Sequence, residues 1–71
     1  MWNINKYKKA KIFEKELSKA ISILDTSIKD LIPYKKYDSV NNCLIAMDAT
    51  KDLLTFHLKI QKKVIANKGG F

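Results

Sequence analysis

The sequence predicts an all-α protein: an antiparallel helical hairpin that pairs into a homodimeric four-helix bundle or a related helical oligomer. Three observations lead there. Apolar residues recur at helical spacing on both sides of one proline, Pro33. The chain has one Pro and two Gly, so it has few places to turn. Its second half carries more apolar surface than a single neighbouring helix can cover.

The first helix is expected over about residues 6–32. Ala10, Phe13, Leu17, Ala20, Ile21, Leu24, Ile28 and Leu31 follow one another in steps of mostly three and four, which places them in one stripe. Lys11, Lys15, Lys19, Ser22, Lys29 and Asp30 fall mostly off that stripe. Asp25 and Lys29 stand four apart in the favourable order for an ion pair. Asn3 and Asn5 are the candidate N-caps, but Lys6, Lys8 and Lys9 then crowd a helix end that prefers acids. Pro33 pushes the residue before it out of the helical region, so the helix should stop at Leu31 or Ile32.

Residues 33–38 read as the turn, with Asp38 or Ser39 as N-cap of a second helix over about residues 39–67. Gly69 and Gly70 are a stop signal, and residues 68–71 should fray. The main stripe of the second helix is Val40, Leu44, Met47, Leu54, Leu58 and Ile65, interrupted by Lys51 and Gln61. A second stripe holds Ile45, Ala49, Leu53, Phe56, Ile60 and Val64. The first stripe is assigned to the hairpin. Ile45, Leu53, Phe56, Ile60 and Val64 are the candidate self-association residues. A monomer completed by a short extra helix over residues 2–9 is the competing architecture.

Size argues for association. A 71-residue chain forms one domain and buries only about 60% of its unfolded surface. Chains this short usually need a disulfide, a metal or a partner. The one cysteine, Cys43, forms no intrachain disulfide, and the one histidine, His57, offers no Cys/His zinc spacing. Association with a second copy, as a four-helix dimer, is the simplest closed answer.

The net charge is +7, and every basic residue is Lys. Lys is a hydrated point charge and lacks the planar fork by which Arg reads carboxylates, phosphates and guanine edges. The charge is also uneven. Residues 1–19 and residues 51–71 are each net +4, while residues 20–50 are net −1. A hairpin brings the two basic stretches to one pole. Lys6, Lys8, Lys9, Lys11, Lys59, Lys62, Lys63 and Lys68, with Tyr7 among them, are the candidate anion- or nucleic-acid-binding residues. Trp2, Tyr7 and Phe13 interleave with these lysines, and aromatics beside cations suit base stacking. The plain alternative is a solvated, solubilising face with aromatics covering the end of the core.

Catalytic and metal-binding patterns are missing. His57 and Asp52 are five apart, off a common helical face, and no HExxH, ExxH or CxxC occurs. Asp48 and Asp52 are four apart, but a hard cation wants more oxygen ligands. Cys43 reads as a small core residue. Gly69–Gly70 lacks the strand and helix that frame a phosphate loop. No enzyme activity, cofactor or metal is expected. No apolar run reaches the ~20 residues of a membrane span, and the start, Met1–Lys11, is polar and basic, unlike a signal peptide. The expected setting is a cytosolic, reducing compartment, with no membrane insertion.

The segment Leu31-Ile32-Pro33, followed by Leu44-Ile45-Ala46-Met47-Asp48-Ala49, loosely resembles the helix–Pro–helix layout of phage proteins that sequester cyclic oligonucleotides. That resemblance implies nucleotide binding. By size and shape alone, small plasmid RNA-binding hairpin dimers and small phage regulators and inhibitors are analogous. The sequence therefore points first to a non-catalytic regulator or inhibitor that docks on a protein partner. A nucleic-acid- or nucleotide-binding hairpin is the alternative, and a minor virion or scaffolding component is a third reading.

Overall fold

A computed structural model describes residues 4–67. Two helices pack against each other as a hairpin: α1 over Ile4–Leu31 and α2 over Asp38–Ala66. No strand occurs among the described residues. The hairpin is a rod with extents of 52 × 15 × 14 Å.

α1 begins two residues earlier than its spacing suggests, so Asn5 lies inside the helix and is not its cap. Residues 4–9 continue α1 and form no separate helix, which removes the short extra helix for those residues. Asn3 and Trp2 lie outside the described residues, as do Lys68, Gly69 and Gly70. The ring of Pro33 has no N–H to continue the helix and crowds the carbonyl four residues back. α1 accordingly ends at Leu31, and Ile32–Tyr34 form a single 3₁₀ turn. The amide of Lys35 donates to the Ile32 carbonyl and that of Tyr37 to the Tyr34 carbonyl, both at 3.1 Å.

Neither Asp38 nor Ser39 caps α2. Tyr37, with an extended backbone (φ −83°, ψ 123°), holds the cap position and makes no side-chain cap bond. Its carbonyl accepts the Asn41 amide at 2.9 Å. Asp38 instead sits in the first turn, where its charge suits the helix dipole. At the other end, the backbone amide and side-chain amide of Asn67 both donate to the Lys63 carbonyl, at 3.0 and 2.9 Å.

The two helices meet along a seam with alternating steps of three and four. In α1 the seam is Tyr7, Ala10, Glu14, Leu17, Ile21, Leu24, Ile28 and Leu31. In α2 it is Val40, Leu44, Met47, Lys51, Leu54, Leu58, Gln61 and Ile65. All of these are buried or half-buried. Steps averaging 3.5 keep an apolar row facing a partner helix over many turns. The seam departs from the sequence reading at one place: Glu14 takes the position that the stripe gave to Phe13, and Phe13 stands exposed beside it.

Two polar members sit in the seam of α2. Lys51 reaches across to α1, where its Nζ lies 2.6 Å from Asp25 Oδ1. Lys29 approaches the other oxygen, Oδ2, at 3.2 Å. Asp25 thus bridges its own helix and the next one.

Candidate functional site

Only two of the described residues are buried, Ala10 at 1% exposure and Val64 at 5%. A two-helix unit has a seam but no enclosed interior, so its surfaces carry whatever it does. Those surfaces follow from the seam. A residue just before a seam position lies on one side of the hairpin, and a residue just after lies on the other.

The first side contains a groove of about 500 Å³, lined by Lys6, Lys9, Ala10, Phe13, Ile60, Gln61, Lys63 and Val64. Lys6, Lys9, Phe13, Ile60 and Val64 each stand one residue ahead of a seam position or, for Lys63, two. The same rule extends this side along the rod. It adds Glu16, Ala20, Ile23, Ser27 and Asp30 from α1, and Leu53, Thr50, Ala46, Cys43 and Ser39 from α2, with His57 between Leu53 and Ile60. Phe56 stands one heptad before Lys63 and borders the same side. Ile23, Leu53 and Phe56 are all more than half exposed. The groove side thus carries Phe13, Ile23, Leu53, Phe56 and Ile60 with few charges between them. Lys6, Lys9 and Lys63 stand at one end, Glu16 lies inward of them, and Asp30 stands near the other end.

The second side is polar. From α1 it takes Lys8, Lys11, Lys15, Ser18, Ser22, Asp25 and Lys29; from α2, Asn41, Asp48, Asp52, Thr55, Lys59 and Lys62. Toward the terminal end, Lys8, Lys11, Lys15, Lys59 and Lys62 gather beyond the acids of these rows, Asp25, Asp48 and Asp52. Ile45 is the large apolar residue that α2 places here.

The structure therefore divides the candidate anion-binding lysines. Lys6, Lys9 and Lys63 border the groove, while Lys8, Lys11, Lys59 and Lys62 lie on the polar side. Lys68 lies outside the described residues. Tyr7 is a half-buried seam residue, and the Lys11 ammonium rests 5.9 Å from its ring centre. The candidate self-association residues divide too. Leu53, Phe56 and Ile60 share an exposed apolar side. Val64 is buried in the hairpin, because it closes over Ala10 rather than facing outward. Ile45, at 63% exposure, is on the opposite side from the groove.

α1 contributes Phe13 and Ile23 to the apolar side, which the two-stripe reading of α2 missed. The signal was present as a strict heptad: Phe13 and Ala20 each precede a seam residue. Cys43, expected in the core, is exposed. It precedes Leu44, and no helix covers that row.

Asp25 and Lys51 form an ion pair between the helices, at 2.6 Å. Hydrogen bonds from Lys51 and then Lys29, with their positive charge, hold the Asp25 carboxyl below its ordinary 3.8. The Asp25 hydrogen bond is the main cause that raises Lys51 above its ordinary 10.5. Phe56 and His57 meet edge to face with ring centres 5.6 Å apart. Among the described residues, no group of three or more His, Cys, Asp or Glu side chains is placed to hold a metal ion. No helix there is long and apolar enough to cross a membrane. No protein-family model matches the chain, and no curated protein or solved structure matches it either.

Proposed function

We propose that this chain is a small non-catalytic binding protein that works as a homo-oligomer and acts by docking on another macromolecule, in the manner of a regulator or inhibitor. The observation that carries this reading is the mismatch between core and surface. Among the described residues two are buried, while Phe13, Ile23, Leu53 and Phe56 stay exposed on one side. Burying one such side chain is worth about 1.5–3 kcal/mol. Contiguous apolar side chains with polar residues at their borders mark association surfaces. The test is the state of the pure protein. Sedimentation should show a folded oligomer, and Phe56→Asp should yield a monomer or an unfolded chain. A monodisperse, folded monomer for the unsubstituted protein overturns the reading.

A second reading rests on the five lysines of the polar side. Lys8, Lys11, Lys15, Lys59 and Lys62 offer point charges without Arg forks, which suits phosphate backbones more than base edges. Nucleic acid bound this way shows weak sequence preference and steep salt dependence, because each phosphate contact releases counterions. Binding that does not change between low and physiological salt overturns it.

A further inference from the structure

We infer that the groove side is covered by a second copy of this chain lying antiparallel, α1 over α1 and α2 over α2, with Lys9 of each copy set against Asp30 of the other. The inference rests on the self-association reading and specifies its geometry.

Three observations lead to that occupant and orientation. The first is that, among the described residues, this side gathers Phe13, Ile23, Leu53, Phe56 and Ile60, while its opposite carries five lysines in the terminal half with Asp48 and Asp52 beyond them. Pressing two such lysine sides together in parallel would bring ten like charges into a region of reduced dielectric.

The second is charge. Lys6, Lys9 and Lys63 border the groove at one end, and Asp30 lies in the row of Lys9 near the other. Lys9 and Asp30 occupy equivalent positions, since each directly precedes a seam residue, Ala10 or Leu31. A parallel pair would gather six lysines at one end, and the nearest acid of the row, Glu16, is already paired with Lys19 of its own helix at 3.4 Å. An antiparallel pair sets each basic end over the other copy's Asp30.

The third is register. On α1, the centre between Lys9 and Asp30 falls between residues 19 and 20. The groove lining sets Ala10 beside Val64 and Phe13 beside Ile60, which shows which parts of the helices are level. Counting from those pairs, a twofold axis through the α1 centre crosses α2 near Leu53 and Leu54. It pairs Lys9 with Asp30 on α1 and brings the exposed Leu53 of each copy to the axis, as an isologous apolar contact requires.

Cys43 provides the measurement. It is exposed, and it is the sixth residue of α2, near the turn end of the rod. At 1.5 Å per residue, an antiparallel pair about that axis separates the two Cys43 positions by about 30 Å along the rod. A parallel pair brings them within about 20 Å, given helix spacings of 8–10 Å. The full-length protein is labelled with a nitroxide at Cys43, its sedimentation is recorded, and the spin–spin distance is measured by pulsed dipolar spectroscopy. A dimer with a distance of about 30 Å or more is expected. A dimer with the short distance overturns the antiparallel arrangement and leaves self-association standing. A folded monomer at every concentration overturns both. Charge reversal then tests the side used. Lys9→Glu should weaken dimerisation by about tenfold, two contacts per dimer being lost, and adding Asp30→Lys should restore most of it. If Lys9→Glu leaves the dimer unchanged, or the double variant is no tighter than the single, the groove side is not the interface.

Discussion

At the scale of single residues, Ala10 and Val64 stand apart, because they alone among the described residues are closed off from water. Ala10 works through what it lacks. A methyl group at that seam position leaves room for Val64, and the two together form the floor of the groove. Ala10→Leu should push the helices apart and cost about 1–3 kcal/mol of stability, the usual range for overpacking. Val64→Ala should cost about 2 kcal/mol through lost burial. Both are read as shifts in the midpoint of urea unfolding. A neutral result for Ala10→Leu would mean that the helix ends are free to splay. Spacing alone did not reveal this pair. Val64 falls at the edge between the two stripes of α2, and only the seam of α1 decides which stripe claims it.

At the scale of the elements, the seam was the legible part. Leu17, Ile21, Leu24, Ile28 and Leu31 in α1, with Val40, Leu44, Met47, Leu54, Leu58 and Ile65 in α2, all lie where their spacing puts them. Capping was less legible. Asp38 and Ser39 have suitable side chains, but the 3₁₀ turn after Pro33 delivers the chain so that helical geometry begins at Asp38. Lys51 reads as an interruption in the sequence and becomes the cross-helix contact, because Asp25 lies within its reach on the neighbouring helix. Its partner could not be named before the register was known. The pair has a pH signature. The folded-state pKa of Asp25 lies below 3.8, so its contribution is present above that value and is lost as pH falls through the lower folded value. The folded-state pKa of Lys51 lies above 10.5, so its contribution is complete below that value and is lost as pH rises past the raised one. Asp25→Asn should lower the thermal midpoint at neutral pH and flatten its fall in acid. Lys51→Met, which fills the seam with an apolar chain, should raise the midpoint relative to Asp25→Asn. Matching acid profiles for Asp25→Asn and the unsubstituted protein would remove the pair from the account.

At the scale of the whole molecule, a rod 52 Å long and about one helix thick cannot hide its own apolar side chains. Folding and association should therefore be one equilibrium. The thermal midpoint seen by circular dichroism should rise with protein concentration, each tenfold increase adding about 1.4 kcal/mol of apparent stability. A midpoint independent of concentration would show that the hairpin stands alone. The lysine side has a consequence of its own once two copies lie antiparallel, groove side to groove side. The two five-lysine clusters then point in opposite directions and sit at opposite ends. No single straight polyanion can touch both. On the nucleic-acid reading, such a particle would staple two strands, or two stretches of one folded strand, rather than clamp one. Added to long duplex DNA at low salt, it should condense the polymer into light-scattering networks near charge balance. A hairpin held monomeric by Leu53→Asp should only coat it.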